Sequence, residues 1–310
     1  MSSESGIKVS IVIPLFNGEK HLTDALASIA ASSHANIDVI VVDDCSTDGS
    51  LKIASEYARD DHRFRIFKND ANRGVSFSRN RGLAEVRGEF VVFIDSDDKI
   101  SPDWIENLLC AAQAKNADIV IGKSYRLINN VVSDYNMKGI SSAGQIDFKQ
   151  IIFKDNCVVW NKLYLVDLVR RSGIRFETDI CIGEDLAFNY GIMAFAKKIY
   201  YTDKGHYSYR IDNPESVINR STASTKIESL SKVLYTILSY SKQPETTNKG
   251  ALRKVAKDLL TEFSGQAEQK LDDALLMTIN KIDHTLVFRV GFKRWRRLIR
   301  KFSLSGLGSK

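Results

Sequence analysis

Three carboxylates follow a run of apolar residues near position 95. Residues 90–94 are all apolar, and Asp95, Asp97 and Asp98 come directly after them. This pattern predicts a buried strand that ends at a polar rim. Crowded carboxylates repel one another and cost free energy to desolvate, so a hard divalent cation such as Mg2+ or Mn2+ stabilises them. An acidic turn before the helix predicted to begin near Ser101 is the alternative interpretation.

Polar or ring-bearing residues also follow two other predicted strands. Asp44 comes after the apolar segment 38–42, while Pro14 and Phe16 lie at the end of the segment 8–15. In open α/β sheets, ligands bind outside the carboxyl ends of the strands. The sequence therefore predicts a ligand site at the edge where these segments end.

Strands and helices are predicted to alternate over the first 122 residues. Apolar residues at helical spacing predict helices between the short apolar runs. The predicted strands span residues 8–15, 38–42, 64–67, 90–94 and 118–122. This alternation, without hairpin signals, predicts right-handed βαβ crossovers and a mainly parallel sheet. We therefore expect an α/β fold with helices on both faces of the sheet.

The sequence divides into three predicted regions. Residues 1–222 contain the α/β pattern, which becomes less regular after position 122. Residues 223–283 are poor in glycine and proline and have apolar residues at helical spacing, which predicts a helical extension. Residues 284–310 form a basic tail.

Composition favours a globular protein of the cytoplasm. Hydrophobic residues make up 44% and charged residues 26% of the 310-residue chain, values typical of soluble domains. The polar N-terminal residues lack the pattern of a secretory signal, and no apolar run reaches the roughly 18 residues of a membrane span. The four cysteines form no CxxC pair, which favours reduced thiols and argues against structural zinc.

The positive net charge of +6 comes from the tail. Residues 284–310 contain eight Lys or Arg and no Asp or Glu, which leaves 36 basic and 38 acidic residues in the rest of the chain. Apolar residues recur between basic ones at steps of 4, 3, 4 and 3 at Phe288, Phe292, Trp295, Ile299 and Phe302. This is the pattern of an amphipathic helix at a membrane interface.

We therefore expect residues 285–302 to bind an anionic membrane surface, which would place the protein peripherally on the inner face of the cell membrane. A helix that packs on the main domain and a nucleic-acid patch are the alternatives. The near-neutral body and the lack of a recognition fold argue against nucleic acid, so no such partner is expected.

Five short motifs, taken in order, resemble the family 2 glycosyltransferases, which are inverting enzymes of the GT-A fold. The motifs are Ile13-Pro14-Leu15-Phe16-Asn17, Asp43-Asp44, the N-x-G-x-x-x-x-R-N segment at 72–80, Asp95-Ser96-Asp97 and Gly183-Glu184-Asp185. The resemblance covers about residues 7–222. It implies that residues 1–222 form a nucleotide-sugar-binding and catalytic domain with a Rossmann-like sheet, of the bacterial surface-polysaccharide type.

The resemblance also implies roles in donor binding. Asp97, with Asp95 nearby, would hold Mn2+ or Mg2+ against the phosphates of the donor. The residues that would contact or border the nucleotide-sugar are Pro14, Phe16, Asp44, Asn72, Arg79, Asp95 and Arg210.

Inverting transfer needs one base that removes the proton of the acceptor hydroxyl. By resemblance, Asp185 is that base, and Glu184 is the alternative for the role or contacts the acceptor. Trp160 and Lys162 would shape the acceptor pocket. An ordinary acidic helix N-terminus and a packing role for the tryptophan and the lysine remain alternatives.

These expectations together predict a membrane-associated hexosyl- or N-acetylhexosaminyltransferase. The donor is expected to be a UDP-sugar, and the acceptor a saccharide or lipid-linked glycan of surface polysaccharide biosynthesis. A nucleotidyltransferase on a related sheet is a second hypothesis, but the Gly-rich, Arg-containing loop of that class is missing after the first strand. A non-catalytic membrane adaptor is a third, and the intact Asp95, Asp97 and Asp185 argue against it.

Overall fold

The computed structural model describes residues 6–129, 131–134, 142–147, 158–212 and 223–256. The strands in this part of the chain are β1 Val9–Leu15, β2 Ile37–Asp43, β3 Phe64–Lys68, β4 Phe90–Phe93, β5 Lys99–Ile100, β6 Ile119–Ile128, β7 Val131–Asp134, β8 Gly144–Ile146, β9 Lys162–Leu165 and β10 Ile199–Arg210. The helices are α1 Glu19–Ala30, α2 Ser50–Asp60, α3 Val75–Ala84, α4 Trp104–Lys115, α5 Val166–Ser172, α6 Glu184–Phe195 and α7 Ala223–Tyr240, and residues 249–256 are also helical.

The described strands form one mixed sheet in the order β3-β2-β1-β4-β9-β6-β10-β5, with β7 on β6 and β8 on β10. The first four strands in this order are parallel, and β6 and β10 are parallel to each other. Between them, β9 runs antiparallel to both β4 and β6. Strands β1, β2, β3, β4, β6 and β10 therefore all run in one direction, so the predicted mainly parallel α/β sheet is confirmed. The long β10, the reversed β9 and the short β5, β7 and β8 were not predicted.

Apolar cores lie on both faces of the sheet. On β1, Ile11 and Ile13 belong to the core that includes Leu22 of α1 and Trp104 of α4. The intervening Val12 belongs to the opposite core, which α5, α6 and α7 help to form. A sheet covered on both faces has no solvent side. This explains why its strands read as continuous apolar runs.

Helix α3 lies unusually close to β1. A Cβ atom at Gly82 would overlap the side chain of Val12, so only glycine permits this approach. Arg79 is one turn earlier on the same helix. The close packing therefore fixes the helix that carries Arg79 against the centre of the sheet.

The C-terminal region is helical but interrupted. The sequence predicts continuous helix after position 223, whereas α7 ends at Tyr240 and residues 241–248 form turns. Pro244 lies in this break and lacks the N–H that a helix interior needs. Residues 257–283 of the predicted extension and the whole basic tail, 284–310, lie outside the described residues. Within the described chain, no helix is both long enough and apolar enough to cross a membrane.

Candidate active site

The loops that carry the predicted site residues leave the sheet at one edge. In the parallel register, Leu15 at the end of β1 pairs with Asp43 at the end of β2. Val12 of β1 pairs with Phe93 at the end of β4. Chain segments that continue beyond these positions therefore emerge side by side. This brings the regions of Phe16, Asp44 and Asp95 to the same rim, as the sequence predicts.

One buried arginine contacts three carboxylates at this rim. Arg79 is only 3% exposed. Its Nη2 lies 2.9 Å from Oδ1 of Asp95, and its Nη1 lies 3.0 Å from Oε1 of Glu184 and 2.6 Å from Oδ1 of Asp185. The guanidinium also lies over the ring of Phe176, 5.3 Å from its centre. Three distant parts of the sequence thus meet at a single side chain.

Both acidic residues at the start of α6 have a raised pKa. Burial, and secondarily the charge of Asp185, raises the pKa of Glu184 to about 8, while Arg79 opposes this shift. Burial also raises the pKa of Asp185, but Arg79 and a hydrogen bond from Glu184 act in the opposite direction. Burial thus favours a proton on Glu184, while Arg79 and the hydrogen bond from Glu184 favour the ionised form of Asp185. This is the arrangement that a general base at Asp185 needs.

The three carboxylates after β4 have separate environments. Asp98 is fully buried and accepts hydrogen bonds from Oη of Tyr207 at 2.6 Å and from the backbone N–H of Arg210 at 2.7 Å. Burial, with the charges of Asp97 and Asp95, raises its pKa well above the usual range. Asp98 thus fastens β10 beneath the rim, whereas Asp95 and Asp97 are partly exposed. From the sequence, Asp98 is expected to share a cation with Asp95 and Asp97, because nothing in the spacing of Asp98 and Tyr207 indicates that they meet.

The carboxylate oxygens of Asp95 and Asp97 suit a hard cation that also binds a ligand. Mg2+ in nucleotide sites is commonly held by one or two carboxylates, with phosphate oxygens and water completing the shell. Asp95 and Asp97 supply oxygen ligands of this kind, whereas the Asp98 carboxylate already accepts hydrogen bonds from Tyr207 and Arg210 of β10. Among the described residues, no three His, Cys, Asp or Glu side chains form a metal-binding group. The assignment of a cation to Asp97 and Asp95 stays a prediction.

Asp44 organises a neighbouring loop. It is 3% exposed and accepts hydrogen bonds from the backbone N–H groups of Arg73 at 2.9 Å and Gly74 at 2.7 Å. Asn69 donates a third, at 2.7 Å. Gly74 has a φ of 87°, a conformation that favours glycine. Asp44 thereby holds the loop that exposes Asn72. Direct contact of either residue with a nucleotide stays a prediction.

Two loops joined by hydrogen bonds hold Phe16 at the surface. The backbone N–H of Asn17 donates to Oγ of Ser46 at 3.0 Å, and Oδ1 of Asn17 accepts the N–H of Thr47 at 2.9 Å. Phe16 is 47% exposed beside this junction and can offer its ring to a planar base. Pro14, by contrast, is buried within β1. It therefore shapes the strand end from beneath.

Trp160 and Lys162 lie in the interior. Trp160 is 3% exposed and stacks on Tyr207 and Tyr209, with ring centroids 4.5 and 5.0 Å away. Lys162 is fully buried, and its Nζ donates to the backbone oxygen of Val158 at 2.6 Å. Both side chains order the segment that leads into β9, which agrees with the packing alternative. Their predicted role in shaping the acceptor pocket stays a prediction.

Arg210 ends β10 at the same rim. Its Nε donates to the backbone oxygen of Asp97 at 2.9 Å, and its Nη1 lies 3.5 Å from Asp212. The enclosed Nη2 has no hydrogen-bond partner within the described structure. A buried donor left unpaired costs free energy, so an anionic ligand that reached this atom would be stabilised. The predicted contact between Arg210 and the nucleotide-sugar stays a prediction.

The sheet topology and the acidic rim define an α/β fold of the GT-A type. The fold is shared with the crystal structure of Staphylococcus aureus TarS residues 1–349 in complex with UDP-GlcNAc, with a TM-score of 0.76 and 22% identity over 92% of this chain and 84% of that one. Residues 10–198 match the family model described as Glycosyl transferase family 2. The chain belongs to this family, which confirms the resemblance stated above.

Curated relatives agree with this assignment. Glycosyltransferase GlyA of Streptococcus pneumoniae serotype 4 is 32% identical over 216 residues, which is 66% of this chain and 30% of GlyA. EpsJ, an uncharacterized glycosyltransferase of Bacillus subtilis, is 29% identical over 67% of this chain and 62% of its own length. The chain thus spans less than two thirds of the length of these two relatives.

Proposed function

We propose that this chain is an inverting glycosyltransferase that transfers a sugar from a nucleoside-diphosphate donor to a saccharide or lipid-linked glycan. One observation carries the proposal: the acidic pair Glu184 and Asp185 is joined through Arg79 to Asp95 at the carboxyl edge of the sheet. This arrangement supports a base at Asp185, beside the segment expected to hold the donor phosphates. All four residues lie within the part that matches the family.

Asp185 is the group that accepts the proton in the proposed reaction. The acceptor hydroxyl gives its proton to the carboxylate as its oxygen forms a bond to the anomeric carbon. The bond from that carbon to the diphosphate breaks on the opposite face, and its electron pair leaves with the diphosphate. Because attack and departure occur on opposite faces, the configuration inverts. The hydrogen bond from Glu184 stabilises the charge of the Asp185 carboxylate.

The negative charge on the leaving group needs compensation. Asp97 and Asp95 would hold Mn2+ or Mg2+, which supplies positive charge next to the diphosphate when bound. Arg210 provides a second positive charge through its Nη2, which has no hydrogen-bond partner among the described residues. A guanidinium suits this task because its planar fork matches phosphate oxygens.

Uracil is the proposed base of the donor nucleotide. The exposed ring of Phe16 and the loop held by Asp44 flank the rim where a base would lie. The TarS structure that shares the fold contains UDP-GlcNAc, which supports a UDP-sugar donor and N-acetylhexosaminyl transfer. Asn72 is exposed on the loop and would contribute polar contacts to the nucleotide.

A peripheral position on the cytoplasmic face of the membrane is proposed from the amphipathic pattern at 285–302. The apolar stripe and the basic residues beside it suit an anionic bilayer surface. This location would bring the enzyme to a lipid-linked acceptor of a bacterial surface polysaccharide.

A donor screen tests the proposed function. Purified protein is incubated with a panel of nucleotide-sugars, with and without membrane extract, and products are identified by mass spectrometry. We expect one UDP-sugar to be consumed and a glycosylated product to appear. Asp185→Asn should reduce this turnover by roughly 100-fold or more, whereas Asp60→Asn, at an aspartate whose side chain is 68% exposed, should not reduce it. Equal turnover by the wild-type and Asp185→Asn proteins would overturn the proposal.

A further inference from the structure

Arg79 lies between Asp95 and Asp185, a more specific position than contact with a nucleotide would require. We infer that it is a positioning residue: its guanidinium fixes Asp185 relative to Asp95 and supplies the counter-charge that keeps Asp185 a carboxylate. The inference deepens the proposed function and rests on it for the role of Asp185. Its geometric basis is independent, because the 2.6 Å and 2.9 Å contacts to these two residues are features of the structure itself.

Packing prevents Arg79 from swinging towards solvent. Its side chain is 4% exposed, and its guanidinium rests on Phe176. The next residue, Asn80, holds the backbone of Phe176 in both directions: Nδ2 donates to the Phe176 oxygen at 2.7 Å, and Oδ1 accepts the Phe176 N–H at 3.0 Å. Arg79 and Asn80 therefore act as a unit in which the asparagine fixes the surface on which the arginine lies.

The charges around Asp185 show what the arginine contributes. Within the described part of the chain, the groups that act on the Asp185 carboxylate are Arg79 on α3, Asp95 after β4, Glu184 on the same helix, and the backbone N–H of Val159, which lies 3.5 Å from Oδ2. Burial and the negative charge of Asp95 favour the protonated form. Arg79 is the cationic side chain among these groups, and it favours the carboxylate. Without it, Asp185 should hold a proton over more of the neutral range and lose its function as a base.

Kinetics of two Arg79 variants test the inference. In Arg79→Met the acidic limb of the pH–kcat profile should move to higher pH by about one unit or more, the usual effect of losing a neighbouring opposite charge. Arg79→Lys retains the positive charge but replaces the planar, forked guanidinium with a compact ammonium group. It should lower kcat with less movement of the limb. Arg87→Met, which removes the same charge from an exposed position, should leave the profile unchanged.

Two outcomes would overturn the inference. The first is an Arg79→Met protein with an unmoved acidic limb and a raised donor KM, because this would show that the arginine binds the nucleotide instead. The second is an Arg79→Lys protein with wild-type kcat and pH profile. If circular dichroism shows that Arg79→Met does not fold, the Arg79→Lys result decides alone.

A measurement that needs no activity separates this inference from the proposed function. Carbon-13 NMR titration of protein labelled at Asp and Glu carboxyl carbons should show one carboxyl of Arg79→Met titrating at higher pH than in the wild type. If no donor is turned over while this shift appears, the proposed function fails and the electrostatic role of Arg79 stands. If turnover is normal and no carboxyl shifts, the inference fails alone.

Discussion

Oη of Tyr207 donates a 2.6 Å hydrogen bond to Oδ2 of Asp98 and accepts the backbone N–H of Asp95 at 3.2 Å. A residue 112 positions further along the chain thereby fixes both the buried and the exposed part of the acidic segment. The position of the predicted metal ligands depends on this tyrosine, although it is not itself expected to contact the ligand.

Tyr207→Phe should destabilise the protein and weaken cation binding. The ring that stacks on Trp160 remains, but Asp98 loses a buried donor, a change that costs about 1–3 kcal/mol. Urea unfolding measures the stability, and Mn2+ titration of donor turnover measures the cation effect. Tyr235→Phe is the matched control, because Tyr235 is 57% exposed. Equal unfolding midpoints for the two variants would contradict the role assigned to Tyr207.

Asp185→Asn should reduce turnover by roughly 100-fold or more, as expected for loss of a general base. The amide preserves shape but cannot take the acceptor proton, so donor affinity should change little. Glu184→Gln should reduce the rate less, because its role is to stabilise the charge of Asp185. Steady-state kinetics on both variants make the comparison. If Glu184→Gln is the inactive one, the two roles must be exchanged.

The unfolding free energy should decrease as pH rises from about 5 to about 8. The pKa of Glu184 is raised from 4.5 to about 8 in the folded protein, so between these values the folded state holds a proton that the unfolded chain releases. Stability therefore falls with increasing pH over this window. Glu184→Gln should flatten the dependence, while Glu56→Gln, at an exposed position, should not. Chemical denaturation at several pH values checks this, and identical slopes for all three proteins would refute it.

Chelation should abolish turnover, and Mn2+ or Mg2+ should restore it. Asp97→Asn should stay folded, because Asp97 is not part of the buried core, but should lose more than about tenfold in activity as charge compensation is lost. Asp60→Asn serves as the control for removal of one surface carboxylate. Full wild-type activity in EDTA would rule out the metal assignment.

Deleting residues 285–310 should abolish flotation with anionic liposomes and leave hydrolysis of the soluble donor intact. The attraction is partly ionic, so binding of the full chain should weaken as salt increases. Liposomes of neutral lipid are the control for charge. If the truncated protein still floats with anionic liposomes, the tail is not the membrane-binding surface. If the truncated protein unfolds, the tail packs on the body.

Local sequence patterns were sufficient to predict the sheet edge that carries the candidate site and most of the residues along it. Parallel strands with apolar runs on both faces bring the ends of β1, β2 and β4 to one rim, so Phe16, Asp44 and Asp95 were expected there. The two acidic residues of α6 were selected through the family motif rather than through their spacing. Local patterns sufficed because strand period, burial and direction are encoded in neighbouring residues.

Burial and pairing between distant segments were decided only by the tertiary structure. The sequence presents Asp95, Asp97 and Asp98 as equivalent, yet Tyr207 and the end of β10 bury Asp98 and leave the other two at the rim. Lys162, predicted at the acceptor pocket, lies in the core because β9 is inserted antiparallel between β4 and β6. Arg79, predicted near the nucleotide, joins Asp95 to Asp185, which is 106 residues away. Each of these outcomes depends on desolvation and on charges brought together by folding, and neither is a property of the residue alone.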